Sequence, residues 1–273
     1  LINVKVDSAR PHLIVAGFMS NENDVIEVSG LLKNTMNIGT LLVEREQSDF
    51  NFSSVGSINT SGRFSDNFEQ PVETAKTYRL AYTNACKQTI YSGTHTVNYL
   101  NARVTDDNNA IRLDWTGYRG WENTIPEYEV LVLRDQTTSA ERIKTNTVNN
   151  SFQYNDVKSA FEHCFIIQAT QPANGVQSNS NRVCINLDNP IATPNLVTFN
   201  GDGHNDVFFV DNLPLYPGTA LKIFNRWGQE VFHSNDYQNN WPNSNSNPAA
   251  GTYFFQLKLG NGLTKKGWVL LTK

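Results

Sequence analysis

The chain has 273 residues, a net charge of −4 at pH 7 and a pI near 5.7, and 39% of its residues are hydrophobic. This apolar content is enough for packed cores, which excludes a disordered chain, and the acidic balance lacks the basic surface that nucleic-acid partners require. No apolar run reaches the roughly 18–20 residues of a transmembrane helix, so we expect no transmembrane segment within the chain.

The first segment, LINVKVDSAR (residues 1–10), has no basic region leading into an apolar stretch of the kind that marks a signal peptide. It reads as the beginning of an excised fragment. We therefore expect any signal peptide to lie upstream of the printed sequence.

Apolar and polar residues alternate with a period of two along most of the chain, which predicts β-strands. Clusters of Asn, Ser, Thr, Gly and Asp separate these stretches and end the strands. The clearest strands are Thr77–Tyr82, Ala110–Trp115, Glu127–Leu133, Ala220–Phe224 and Thr252–Leu259. Val157–Cys164 has room for one helical turn. The predicted class is all-β, built from sandwiches.

An internal repeat sets the size of the predicted domains. Segments 77–100 and 164–187 share one layout: a strand with large apolar residues, a loop with Ser, and a second strand. The matched positions are Tyr78 with Phe165, Ser92 with Ser178, and Val97 with Val183. The predicted domains are therefore residues 1–97, 98–188 and 189–273, with the proline-containing segment 186–195 as a semi-rigid connector.

The stretch IRLDWTGYRGWENTIPEYEVLVLRD (Ile111–Asp135) resembles fibronectin type III or related immunoglobulin-like domains. The resemblance implies that Trp115 is the core aromatic residue of an early strand and that Tyr128 starts a strand of the facing sheet. We interpret Trp115, Trp121 and Tyr128 as packing residues. The full fold prediction is three tandem immunoglobulin-like or fibronectin type III-like β-sandwich domains.

The chain has three cysteines and no CxxC pair, which argues against a structural zinc site. Cys164 and Cys184 lie on the last two predicted strands of the second module. Antiparallel neighbours bring Cα atoms within disulfide range, so we predict a Cys164–Cys184 bridge and an oxidising compartment. Two buried thiols are the alternative. Cys86 is left unpaired within this chain.

The loop TFNGDGHND (residues 198–206) combines oxygen-bearing side chains with glycines that permit positive φ. The residues of interest are Asn200, Gly201, Asp202, Gly203, Asn205 and Asp206. One reading is a tight turn whose side chains bond to its own amides. The other is a calcium site that uses Asp202 and Asp206, although the bidentate Glu of an EF-hand is absent. The turn is the favoured reading.

The stretch IFNRWGQEVF predicts a strand, a turn and a second strand, with the turn at Asn225–Gly228 and positive φ at Gly228. Arg226 and Trp227 occupy the tip of this hairpin. Either they form an exposed pair, or Trp227 folds onto the domain with Arg226 stacked on an aromatic ring.

The last stretches, AGTYFFQLKL and KKGWVLLTK, predict two closing strands. Lys265, Lys266, Gly267 and Trp268 begin the second of them. Charges at the start of an edge strand discourage unwanted pairing, and an edge strand at the C-terminus is suited to recognition by strand addition.

Five motifs occur in one order: NGDGHND, IFNRWGQEVF, NDYQNNW, AGTYFF and KKGWVLLTK. From about Pro194 to Lys273 they resemble the gliding-motility-associated C-terminal domain of Bacteroidetes surface proteins, the type B sorting domain of the type IX secretion system. Two positions depart from the family pattern: Phe199 stands where proline is usual, and Pro242 follows Trp241 where aspartate is usual.

The resemblance implies that the last domain is a secretion signal, recognised by outer-membrane translocon components or by a PorP/SprF-type membrane protein. It implies an exported protein of the gliding or adhesin type, located at the cell surface or outside the cell. The two upstream modules would then act as a stalk.

The sequence predicts no catalytic constellation. The five histidines are scattered, and there is no HExxH motif, no G-x-S-x-G elbow and no phosphate-binding loop. We therefore expect a binding protein without a cofactor. Two alternatives stay open. One is a carbohydrate-binding or adhesive module in which exposed Trp121, Trp241 and Trp268 stack on sugars. The other is a structural tail stabilised by calcium.

Overall fold

The computed structural model describes residues 10–19, 22–33, 40–59, 61–105, 109–122, 124–135, 137–145, 150–243 and 248–272. Within these ranges the chain forms 21 β-strands and one short 3₁₀ helix. The all-β prediction is therefore confirmed, and the separate sheets are consistent with β-sandwiches. Backbone contacts divide the chain into two units, one ending at Asn186 and the other containing Leu187–Lys273 together with Lys158–Phe161.

The first module of the first unit has two facing sheets. Its strands are β1 (Arg10–Phe18), β2 (Val25–Lys33), β3 (Thr40–Ser48), β4 (Asn51–Asn59), β5 (Ser61–Asn67), β6 (Thr77–Thr83), β7 (Thr89–Tyr91) and β8 (His95–Thr96). They form one sheet in the order β1-β2-β5 and another in the order β4-β3-β6-β7, with β8 also paired to β6. Leu13 and Val28 of the first sheet share a core with Leu41 and Leu80 of the second.

The second module of this unit repeats the arrangement. Its strands are β9 (Tyr99–Val104), β10 (Ile111–Thr116), β11 (Glu127–Arg134), β12 (Glu141–Thr145), β13 (Ser151–Tyr154), β14 (Glu162–Thr170), β15 (Gln177–Asn179) and β16 (Val183–Asn186). One sheet has the order β9-β10-β13, and the other has the order β12-β11-β14-β15 with β16 also on β14. Trp115 and Tyr128 lie on facing sheets, with ring centroids 5.6 Å apart.

The structure corrects two details of the sequence reading. Val157–Cys164 contains no helix, because a turn at Val157–Lys158 leads into β14, which begins at Glu162. In the internal repeat, Ser92 corresponds to Ser180 rather than to Ser178. The Ser92 hydroxyl accepts the Leu80 N–H at 2.8 Å, and the Ser180 hydroxyl accepts the Ile167 N–H at 2.9 Å. In both modules this serine lies between the last two strands, and its hydroxyl accepts a main-chain N–H that neither of these strands pairs with.

The two modules are joined by buried hydrogen bonds and belong to one unit, so the predicted boundary at residue 98 stays a prediction. Both main-chain groups of buried Ala16 find partners in the second module: its N–H donates to the Tyr118 hydroxyl at 3.2 Å, and its C=O accepts the Ser178 hydroxyl at 2.7 Å. The Trp121 indole donates to the Ile14 C=O at 3.1 Å. Because buried main-chain groups are costly to leave unpaired, these bonds hold the modules in one arrangement.

A buried histidine makes this junction sensitive to acid. Burial, and secondarily the nearby His12, lower the pKa of His95 from 6.5 to about 4. The folded state therefore resists protonation, and its stability falls as the pH drops from about 6.5 towards 4, by at most about 1.4 kcal/mol per pH unit. We expect His95→Gln to flatten this slope in urea unfolding of the first unit at pH 5–7. The control is His233→Gln in the second unit. If the unfolding free energy of the first unit depends on pH as steeply in His95→Gln as in this control, His95 is not the cause of the pH dependence.

Cys164 and Cys184 form a disulfide across the β14–β16 pair. The two strands are neighbours but not one simple hairpin, because β15 also pairs with β14 between them along the chain. Cys86 is an exposed free thiol. Oxidation of the Cys164–Cys184 pair fits a compartment outside the reducing cytosol.

The second unit is built around one five-stranded sheet. Its elements are β17 (Leu196–Thr198), the 3₁₀ helix η1 (Leu213–Leu215), β18 (Ala220–Phe224), β19 (Glu230–Ser234), β20 (Gly251–Lys258) and β21 (Thr264–Thr272). The strand order is β17-β21-β20-β18-β19, and only β17 and β21 are parallel among the described pairs. Strand β18 has the bounds that the alternation predicts.

One face of this sheet lies on an aromatic core. Ile223, Phe255 and Val269 point inward from three strands and pack against Phe208 and Trp241, which lie outside the strands. The segments that carry Phe208 and Trp241 therefore form the second layer of this unit in the described residues. The opposite face of the sheet is not covered by this layer and carries several exposed apolar side chains.

Candidate functional site

The acidic loop Asn200–Asp206 is organised around the Asp206 carboxylate. This carboxylate accepts the N–H groups of Gly201 and Gly203, each at 2.7 Å, and that of Asn200 at 3.1 Å. These bonds, that from Gly201 first, hold the pKa of Asp206 below its usual value. Positive φ at Gly201 (78°), Gly203 (85°) and Asn205 (53°) turns the amides inward.

The other acidic side chain of this loop is also engaged. Asp202 accepts the His204 N–H at 2.8 Å and the Asn200 side-chain amide at 2.9 Å. Calcium needs six to eight oxygen ligands, and here the carboxylates of Asp202 and Asp206 face N–H donors of their own loop. The arrangement supports the interpretation as a tight turn that bonds to itself. His204 contributes its main-chain N–H to this turn, and the residue is exposed.

The Asp206 carboxylate is expected to hold this loop closed. Asp206→Ala removes the acceptor of three main-chain amides, so we expect faster hydrogen exchange at Gly201 and Gly203, measured by NMR at pH 6–7. We expect EDTA to change the exchange rates in neither the variant nor the unaltered chain. The same loosening is expected in the unaltered chain as acid protonates Asp206, because the stabilising bonds of a carboxylate with a lowered pKa are lost as the pH falls through that pKa. Unchanged exchange at both glycines, judged against Asp236→Ala, would refute this role.

The hairpin turn Asn225–Gly228 is held by the Asn225 side chain, whose oxygen accepts the N–H groups of Trp227 and Gln229, each at 3.0 Å. Gly228 has φ of 80°, as predicted for this position. Trp227 is 78% exposed, and the Arg226 guanidinium lies 4.9 Å from the centre of its ring. The tip therefore presents a stacked cation–aromatic pair to solvent.

The register of the sheet places the acidic loop and the hairpin turn at the same end of the second unit. Thr198, which precedes the loop, pairs with Thr272, and Leu271 pairs with Gly251. Phe224, which precedes the turn, pairs with Phe254 near the same end of β20. Three strand spacings, roughly 14 Å, separate the two features. We call this the motif end, defined by Asn200–Asp206 and Asn225–Gly228.

Lys265, Lys266, Gly267 and Trp268 extend away from the motif end along β21. Strand β21 pairs with β20 along most of its length, but it pairs with β17 only over Leu270–Thr272. The end of β21 is therefore an interior strand. Its beginning, Thr264–Val269, has a described strand on one side only. Strand addition along the whole final strand is therefore excluded. Gly267 allows the close approach of the Phe255 ring, since a Cβ there would lie 2.7 Å from this ring and would force it to shift.

Phe199 provides a physical reason for one departure from the family pattern. Its N–H donates to the Thr272 C=O at 2.9 Å and thereby continues the bonding between the acidic loop and β21. Proline, usual at this position, has no N–H to donate. The loop of this chain is thus tied to the last strand by one additional main-chain bond.

The exposure of the tryptophans corrects the sugar-stacking alternative. Trp121 is buried and Trp241 is fully buried, so neither can stack on a sugar. Only Trp268 of the three is exposed, at 53%. The burial of Trp121 agrees with its interpretation as a packing residue. Trp241 lies among polar residues in the sequence, and its burial comes from partners distant along the chain.

The sequence reading missed the apolar surface around Trp268. We define the outer face as the side of the sheet away from the core, with the apolar residues Leu196, Phe224, Phe254, Trp268 and Leu270 and the cations Lys222, Lys258 and Lys266. The signal is present in the sequence: TYFF and WVLL are continuous apolar runs rather than alternating ones. A continuous run places apolar side chains on both faces of a strand.

A cluster of metal-ligating side chains also lies in the first unit. Within the described residues, only Glu162, Cys164 and Cys184 come close enough together to bind a metal ion, and both cysteines are bonded to each other in the disulfide.

The candidate site of this protein is the surface of the second unit formed by the motif end and the outer face.

Residues 191–271 match the family model of the CHU_C Type IX secretion signal domain. The match lies within the second unit and covers both features of the motif end. It confirms the predicted resemblance and indicates export to the cell surface or the extracellular space. A search of curated proteins finds no match to the chain. In the described part of the chain, no helix has the length and apolar character needed to cross a membrane.

Proposed function

We propose that the second unit is an export address, read by the type IX secretion machinery through binding rather than through catalysis. The observation that carries this proposal is the coincidence of the family match, residues 191–271, with one compact unit that has its own core. A unit of this kind presents a fixed surface that a macromolecular partner can recognise without unfolding it.

The reading partner in this proposal is an outer-membrane translocon component or a PorP/SprF-type membrane protein. Aromatic and arginine side chains dominate protein–protein contacts, and the second unit exposes both, in Trp227 with Arg226 and in Trp268. The chemistry is therefore that of a docking surface. We propose no catalytic role for the chain.

The first unit acts in this proposal as a stiff spacer of a surface protein of the gliding or adhesin type. The hydrogen bonds of Ala16 and Trp121 hold its two modules in one arrangement. The Asn23 side chain adds a two-sided contact, because it donates to the Arg182 C=O and accepts the Arg182 N–H, each at 2.7 Å. A spacer of this kind keeps its two modules in one arrangement.

Export of the full chain tests the proposal. The 273-residue chain, preceded by a signal peptide and a reporter, is expressed in a host that has a type IX system, with a co-expressed partner where the host lacks one. We expect the reporter at the cell surface or in the medium, and in the periplasm when residues 187–273 are deleted or when the secretion system is inactivated. Periplasmic retention of the intact fusion would contradict the proposal.

A further inference from the structure

The outer face of the second unit has two apolar rows side by side. Trp268 pairs directly with Phe254, and Phe254 pairs with Phe224 on the next strand. In the adjacent row, Leu270 pairs with Leu196. Trp268 is 53% exposed and Phe254 is 48% exposed, so about half of each aromatic side chain is open to solvent.

These rows are not needed to cover the core. The core of the second unit lies on the other side of the sheet, where Phe208 and Trp241 close it. Strands that are apolar on both faces are typical of sheets covered on both sides. The outer face therefore has the composition of a surface that becomes covered by another molecule.

The same face carries positive charge beside the apolar rows. Lys222, Lys258 and Lys266 lie on the outward side of β18, β20 and β21. Lys222 pairs with Glu230 at 3.2 Å, whereas Lys258 and Lys266 have no ion pair with any described residue. Among the described strands of the second unit, β17–β21, Glu230 is the only acidic residue. The face is thus cationic within a chain whose net charge is −4.

We propose that the outer face docks an apolar surface bordered by carboxylates on the protein that exports this chain. This inference rests on the proposed function and specifies which surface of the address is read. Charge complementarity selects an acidic partner, since opposite potentials guide encounter and like charges oppose it. Trp268 and Phe254, which face each other on neighbouring strands, supply the aromatic anchors that such contacts use.

The charges of the second unit also argue against two other molecules that could cover the outer face, a second copy of this chain and an anionic bilayer. A second copy of this chain would place Lys258 and Lys266 against the same cations. An anionic bilayer would meet Asp202 and Asp206 of the acidic loop, which follows β17 directly beside the Leu196 row. The face measures roughly 19 Å across five strands and about 26 Å along β21, which is about 500 Å² and corresponds to a small, reversible protein contact.

Two pairs of substitutions test the proposal in the full chain. Phe254→Thr with Trp268→Thr removes the anchors while keeping strand-forming side chains, and Lys258→Glu with Lys266→Glu reverses the charge. The matched controls are Phe209→Thr in the second layer of the same unit and Lys144→Glu in the first unit, both exposed and outside the motif end and the outer face. Circular dichroism and urea unfolding select the variants that fold.

The readout is the fraction of the reporter fusion delivered to the cell surface. Loss of one anchor typically costs more than about 1.4 kcal/mol of binding, so we expect each double variant to lower delivery about tenfold or more while both controls stay within about twofold. Folded double variants delivered like the unaltered chain would overturn the docking proposal and leave the proposed function standing. If the unaltered chain is not delivered, both proposals fall.

Two further measurements separate the other occupants. Sedimentation on vesicles containing phosphatidylglycerol, lost in the Lys258→Glu and Lys266→Glu variant, would overturn the proposal in favour of a lipid surface. Light scattering that shows a dimer of the unaltered chain and a monomer of the Phe254→Thr and Trp268→Thr variant would overturn it in favour of a second copy. A monomer that leaves these vesicles unbound supports a protein partner.

Discussion

Replacing Trp241 by alanine is expected to destabilise the second unit by about 3–5 kcal/mol, which is the usual cost of truncating a large buried aromatic side chain. Trp241 is fully buried and lies at the centre of the aromatic core, with ring centroids 5.5 Å from Tyr253 and 6.3 Å from Phe232. Its main chain also holds the second layer, because its C=O accepts the Phe208 N–H at 2.6 Å. Truncation leaves a cavity between the layer and the sheet.

The comparison with phenylalanine separates packing from hydrogen bonding at this position. The Trp241 indole N–H has no hydrogen-bond partner within the described residues, so Trp241→Phe loses ring volume but no bond. We expect Trp241→Phe to cost clearly less than Trp241→Ala, and the exposed control Trp227→Ala to stay within about 0.5 kcal/mol. Hydrogen exchange of peptides from residues 187–273 measures the unit separately. Equal protection in Trp241→Ala and Trp227→Ala would contradict this prediction.

A variant that cannot build the core of the second unit would present neither the motif end nor the outer face as a fixed surface. Export of the Trp241→Ala chain is therefore expected to fail together with its folding, whereas the outer-face variants are expected to fail while folded. This difference separates a signal that is read by shape from one that is read as a linear segment.

Local features of the fold could be predicted from the sequence because strand alternation is a local signal. Strand β18 occupies Ala220–Phe224 as predicted, and the turn at Asn225–Gly228 has its positive φ at Gly228. The loop at Asn200–Asp206 could also be read as a turn that bonds to itself, since its glycines and short polar side chains are adjacent in the chain.

Features that depend on distant partners could not be predicted in this way. The burial of Trp241 depends on Tyr253 and Phe208, which come from other parts of the second unit, and a Trp among polar residues reads as exposed. The match of Ser92 with Ser180 depends on which main-chain N–H each hydroxyl reaches, which an alignment of residue types does not contain. The final strand reads as an edge until its pairing with Leu196–Thr198 is known.

The junction between the two modules of the first unit could be predicted even less, because its central residue gives no sign of its role. Tyr118 lies in a loop, and its hydroxyl meets Ala16 from a strand 102 residues earlier. The same hydroxyl lies within hydrogen-bond distance of Nδ1 of His95, at 2.7 Å. Burial raises the pKa of Tyr118 well above its usual value, so the hydroxyl stays protonated in this role.

Deleting this single oxygen with Tyr118→Phe is expected to destabilise the first unit by about 1–3 kcal/mol, because the variant leaves the buried Ala16 N–H without an acceptor. The ring keeps its packing on Trp121, with centroids 4.1 Å apart, so the loss reports the hydrogen bonds rather than a cavity. Urea unfolding at pH 7 gives the free energy, and hydrogen exchange at Ala16 gives the local effect. Tyr91→Phe, which removes the hydroxyl of a half-exposed tyrosine, is the control and should stay within about 0.5 kcal/mol.

The Tyr118→Phe variant also decides whether the two modules unfold as one. If the hydroxyl couples them, exchange should quicken on β1 in the first module and around Ser178 in the second, because both sides share Ala16. An effect confined to the loop around Tyr118 would mean that this hydroxyl does not couple the modules. The stiff spacer proposed for the first unit would then depend on the remaining bonds of Trp121 to Ile14 and of Asn23 to Arg182.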